Sequence, residues 1–98
     1  MKFVLYFTPS ANQTLKELKE YPGKQKRYKA VAKVLKLLSE NPKHPSLQTH
    51  KYYSLQGPHN EEIFEAYAEQ HTPAAYRVFF FYGPLKEAIT IFAITPHP

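Results

Sequence analysis

The sequence predicts an α+β domain of order β-α-α-β-β-β, with a helical hairpin packed on one face of a mainly antiparallel sheet. Three observations predict it. The stretch from Tyr76 to Ile94 reads as two strands about a turn at Gly83-Pro84. Between Pro9 and Glu40, apolar residues recur at helical spacing in two runs separated by Tyr21-Pro22-Gly23. Glu62 to Glu69 alternates apolar and polar residues as a half-buried strand does.

In chain order, Lys2 to Phe7 (KFVLYF) reads as a first strand, apolar on both faces and therefore expected to lie well covered. Thr8-Pro9 starts a helix, because Thr can cap and Pro is favoured at the first helical position. That helix is expected from Pro9 to Glu20, with Leu15 and Leu18 turned inward. A second helix is expected from about Lys24 to Glu40. At about 100° per residue, Val31, Val34, Leu35 and Leu38 share one arc, and Lys26, Lys29, Lys33 and Lys36 share the opposite one. Asn41-Pro42 stops it. Asn41 to Tyr53 reads as a loop turning into an extended segment, and Gln56 to Asn60 as a turn about Gly57-Pro58. In the next strand Phe64, Ala66 and Ala68 take one face, and Glu65 and Tyr67 the other. For the last hairpin, pairing Tyr82 with Glu87 puts 80 opposite 89, 78 opposite 91 and 77 opposite 92. The helix-side face then holds Tyr76, Val78, Phe80, Tyr82, Ile89, Ile91 and Ala93. The other holds Arg77, Phe79, Phe81, Ala88, Thr90, Phe92 and Ile94.

Composition narrows the function. A chain of 98 residues fits one domain, 1–98, with one modest core. The absence of cysteine excludes disulfides and thiolate metal sites and fits a cytoplasmic protein. Phe3 to Phe7 is too short for a signal peptide, and no apolar run approaches the roughly 20 residues of a membrane span. The net charge of +5 is unevenly placed. Residues 1–51 hold eleven Lys or Arg against three Glu, a balance of +8, and residues 52–98 hold two against five, a balance of −3. A basic half points to an acidic partner such as RNA or an acidic peptide, or else to a solvated lysine-rich helix.

The common enzyme motifs are missing. Three glycines form no phosphate-binding loop, and the chain has no Asp. His44 and His50 match no metal signature and have few carboxylates near them, so no metal and no other cofactor is expected. What remains is a set of polar groups expected on the uncovered sheet face or its edges: Glu65, Tyr67, Arg77, Lys51 and His97. Arg77 is the only charge in the middle of either hairpin strand, and it either pairs with an acid or faces a ligand. An arginine can stabilise a developing phosphorane. A glutamate or histidine can move protons from a ribose 2′-hydroxyl to a leaving 5′-oxygen. An exposed Phe79 or Phe92 could stack a base.

The residues FVLYFTPSANQTLKEL at the start, NPKHPSL after the second helix, FEAY, YRVFFFY and the final ITIFAITPH together resemble the RelE/ParE superfamily of bacterial toxins from toxin–antitoxin pairs. The resemblance spans essentially the whole chain. It implies two helices on an antiparallel sheet and a cognate antitoxin as partner, and, since some members have no known activity, either none or one of two activities. The first is metal-independent endoribonuclease action on ribosome-bound messenger RNA. The second is non-catalytic inhibition of a protein such as gyrase. Under the nuclease reading it implies Arg77 as phosphate ligand, Glu65 and His97 as proton-transfer groups, and Lys51, Lys29, Lys33, Lys36 and Tyr67 as RNA contacts. The sequence departs from the family pattern where many members carry a second basic residue, at Tyr67, and where a tyrosine commonly ends the chain, at Pro98.

Overall fold

The structure, a computed structural model, describes residues 2–69 and 75–96. Strand β1 (Val4–Phe7) leads into helix α1 (Pro9–Glu20), a 3-10 turn (Pro22–Lys24) and helix α2 (Gln25–Glu40). A second 3-10 turn (Pro45–Leu47) precedes strands β2 (His50–Gln56), β3 (Glu62–Tyr67), β4 (Tyr76–Tyr82) and β5 (Ala88–Pro96). The five strands form one sheet of order β1-β5-β4-β3-β2. β1 runs parallel to β5, and every other pair is antiparallel. The α+β class and the helical hairpin on one face are as expected. The segment read as a loop passing into extended chain supplies a fifth strand, β2.

The helices form where capping and amphipathicity coincide. The Thr8 hydroxyl accepts from the Ala11 amide at 3.1 Å, satisfying one of the free donors of the first turn of α1, and itself donates to the Phe92 carbonyl at 2.8 Å. α2 ends where Asn41 turns extended ahead of Pro42. Val31, Val34, Leu35 and Leu38 of α2 are all buried, with Ala11 and Leu18 of α1, against Ala66, Val78, Phe80, Ile89, Ile91 and Ile94 of the sheet.

Three expectations are corrected. The first strand is not covered: β1 is an edge strand whose described neighbour is β5, leaving Val4 59% and Tyr6 42% exposed, while Phe3 and Leu5 reach the core. In the terminal hairpin, Glu87 takes a left-handed φ of 61° and cannot extend the ladder, so Tyr82 pairs with Ile89 and Phe80 with Ile91. A two-residue slip preserves the faces. A bulge at Phe92 then breaks them, for Phe79 faces Ala93 and Val78 faces Ile94. Ala93 therefore leaves the helix side and Ile94 joins it, 2% exposed. Third, Phe79 is not an exposed stacking platform. With Ile63 and Phe81 it is buried in a second small apolar cluster on the face away from the helices, covered by Tyr52, Phe92 and Ala93.

Candidate active site on the open sheet face

The strand register builds the site. Residues directly opposite one another in neighbouring strands share a face. His50 is opposite Glu65, Glu65 opposite Phe79, and Phe79 opposite Ala93. One rung along, Tyr67 is opposite Arg77, and Arg77 opposite Thr95. These two rungs lie beside the second apolar cluster, on the side of the sheet that the helices leave open.

Glu65 is the hub. Its side chain is only 3% exposed, and both carboxylate oxygens are engaged. Oε2 accepts from Arg77 Nη1 at 2.8 Å, and Oε1 lies 2.7 Å from His50 Nε2. A carboxylate this deep would be costly without such partners. Tyr67 closes the cluster from the next rung, its ring 5.7 Å from that of His50. Burial first, then the charge of Glu65 and a hydrogen bond to it, push the Tyr67 phenol above its usual range, with Arg77 opposing. The Arg77 guanidinium lies over the rings of Phe79, at 4.9 Å, and Tyr52, at 5.6 Å. Its Nε is buried with no hydrogen-bond partner among the described residues, and the same holds for the Thr95 hydroxyl on the neighbouring strand. His50 is the open member: its side chain is 48% exposed, and its Nδ1 lies 3.1 Å from the Gln48 carbonyl.

Of the residues singled out in the sequence, Arg77, Glu65 and Tyr67 converge here. Lys51 does not. It is opposite Phe64, which packs on the helix-side core, and its ammonium pairs with Glu62 at 2.7 Å. The hydrogen bond from Glu62 and then its charge raise the Lys51 pKa. Lys29, Lys33 and Lys36 are exposed on the outer side of α2, with the sheet between them and Arg77. His97 lies outside the described residues. His44 and His50 do not form a metal pair, since His44 Nδ1 turns onto Ser46 and His50 onto Glu65. Sequence reasoning missed His50, Tyr52 and Thr95. Only the β2–β3 register and the β5 bulge bring them to Arg77, and β2 had not been read as a paired strand.

No protein-family model matches the chain, and no curated protein does. Solved structures do. The YoeB/ParE toxin from Agrobacterium tumefaciens superposes with a TM-score of 0.70 at 8% identity, over 98% of this chain and 100% of the other. A chain of the archaeal RelE–RelB complex from Pyrococcus horikoshii OT3 gives 0.66 at 16%, covering 98% and 96%. A chain of the E. coli DinJ–YafQ toxin–antitoxin complex gives 0.62 at 14%, covering 99% and 94%. The chain therefore has an α+β fold of two helices on a mixed five-stranded sheet. In particular, it has the fold shared by RelE, YoeB/ParE and YafQ structures.

Proposed function

We propose that residues 1–98 act as one toxin domain of a toxin–antitoxin pair, working in the cytoplasm as a metal-independent endoribonuclease on ribosome-bound messenger RNA. The observation that carries this reading is the Glu65–Arg77 pair on the open sheet face of a fold whose solved examples include the RelE–RelB and DinJ–YafQ complexes. An antitoxin is the corresponding protein partner. Arg77 is the phosphate ligand: one guanidinium nitrogen is anchored on Glu65 while Nε has no acceptor among the described residues, and the aromatic rings beneath it hold the plane. Glu65 keeps that guanidinium in place, and a histidine carries the proton transfer. Tyr67 borders the RNA path, and Lys51, Lys29, Lys33 and Lys36 add electrostatic attraction from outside the cleft.

One observation favours a second reading, a non-catalytic module of the same fold that acts by occupying gyrase or its antitoxin. The Arg77–Glu65 pair is already closed, and Arg77 is only 17% exposed. The Arg77→Gln variant separates the two. Under the nuclease reading, its folded fraction loses transcript cleavage by about 10²–10³-fold, as expected for a lost charge-stabilising donor. Wild-type protein that arrests growth without cutting any transcript would move the assignment to the binding module.

A further inference from the structure

Within the RNA-cleavage reading, on which this inference rests, we propose that His50 is the general acid that protonates the leaving 5′-oxygen, with Glu65 as its positioning partner rather than a group that touches substrate. The cluster divides its members by access. Glu65 is 3% exposed, with one oxygen on Arg77 and the other on His50. No face of it is left for a ribose or a bridging oxygen. The His50 ring is 48% exposed and stands at the rim of the same cluster.

The hydrogen-bond geometry sets the protonation role. Both ring nitrogens face acceptors: Nε2 faces a carboxylate oxygen at 2.7 Å and Nδ1 a backbone carbonyl oxygen at 3.1 Å. Only the imidazolium can donate to both; a neutral ring leaves one acceptor unmet. The charged and titratable groups facing it are Glu65 and Tyr67 from β3 and, through Glu65, Arg77 from β4. The Nδ1 proton is the expendable one. Its acceptor is a carbonyl two residues back in the same exposed segment, and a substrate oxygen can take that place. The Nε2 proton stays on the ring, donated to Glu65 throughout, and this bond fixes the ring plane, as the carboxylate does in a catalytic triad.

The step balances as follows. The ribose 2′-oxygen attacks phosphorus and its proton passes to solvent. The P–O5′ bond breaks and its electron pair goes to O5′, which takes the Nδ1 proton of His50. The products are a 2′,3′-cyclic phosphate and a free 5′-hydroxyl. Solvent returns a proton to the neutral ring.

The test compares wild type and His50→Gln on translating ribosomes, over a pH series, with melting measured on both. The expected result is cleavage slowed by about 10²–10⁴-fold, the usual span for a positioned acid, and loss of the alkaline fall of the wild-type profile. The His50→Ala variant regains rate in millimolar imidazole. A message with a bridging 5′-sulfur at the mapped scissile linkage, whose thiolate leaves without a proton, is cut equally fast by His50→Gln and wild type. If wild type cleaves and His50→Gln matches it on ordinary RNA, or if the slowed variant stays slowed on the sulfur substrate, His50 is not the acid. If wild type itself does not cleave, the nuclease reading falls, and this inference falls with it.

Discussion

The two faces of the sheet are made from the same strands and hold opposite kinds of cores. On the helix side, Val78, Phe80, Ile89 and Ile91 meet α1 and α2 in one continuous apolar layer. On the open side, the alternate residues of those strands form a three-residue apolar cluster, Ile63, Phe79 and Phe81, which gives way to Glu65, Arg77, Tyr67 and His50. The helix side is held by area removed from water. Among the described residues no layer covers the open side, so its polar groups are held by pairing with one another, and Arg77 by the rings beneath it. The lesson is one of division: a face that carries stability through burial leaves its reverse free to carry buried charge.

The largest expected effect breaks the helix side. Phe80 is fully buried, and Phe80→Ala should cost about 3–5 kcal/mol in chemical denaturation. A cost under about 1 kcal/mol would place the main core elsewhere. Next comes the open side. Arg77→Met leaves the Glu65 carboxylate buried without its guanidinium partner and should cost about 2–4 kcal/mol, towards the lower part of the range for a broken buried pair because Arg77 keeps some exposure. The double variant Glu65→Leu, Arg77→Met should recover most of that loss in a double-mutant cycle, since no orphan charge remains. Additive losses instead would mean that the pair is not coupled.

A smaller effect distinguishes the faces by pH. Tyr82, whose ring packs with Phe64 and Phe80, has a phenol raised by burial. Tyr67 is raised by burial and then by Glu65. In both, the folded state holds the phenolic proton more tightly than the unfolded chain does. The stabilisation is therefore complete below the ordinary tyrosine value of about 10 and is lost as pH rises through the folded value. Tyr67→Phe should flatten this alkaline loss in melting experiments, and added salt should weaken the Tyr67 contribution more than that of Tyr82, because only Tyr67 senses a charge. The smallest effect on stability belongs to α2: replacing Lys29, Lys33 and Lys36 with Gln should leave melting unchanged. If these lysines contact RNA, the triple variant flattens the salt dependence of binding by about 0.7 log–log units per lost phosphate contact on single-stranded RNA. An unchanged slope would leave them as solvated surface.

Much of the helix side was legible in the sequence, and the physical reason is locality. The inward arc of α2 and the alternation of Phe64, Ala66 and Ala68 follow from backbone periods that any short window displays. The Glu65–Arg77 pair was legible too, because alternation put both on one face of strands that proved to be neighbours. What escaped depends on partners distant in sequence. The exposure of Val4 and Tyr6 follows from β1 pairing with β5, which no local pattern encodes. The exchange of Ala93 and Ile94 between faces comes from one bulged residue, Phe92. The burial of Phe79 is completed by Tyr52, and the role of His50 by Glu65, both through β2, whose bulged pairing with β3 obscures its strand character.

The Thr8 hydroxyl, which caps α1 and donates to the Phe92 carbonyl, bridges 84 positions of sequence. The same span separates Val4 from Ala88 in the parallel ladder, so β1 finds its place only when β5 has emerged. A growing chain can assemble α1, α2 and the β2–β3 hairpin early, but β1 stays apart from the other strands until β5 inserts between β1 and β4. Loop closure over that distance is slow compared with helix formation. Ile89, Ile91 and Ile94 arrive with the same strand, so the core is also sealed last. Sealing of the helix-side core is thereby tied to the emergence of β5, which also brings the Thr95 border of the Arg77 face.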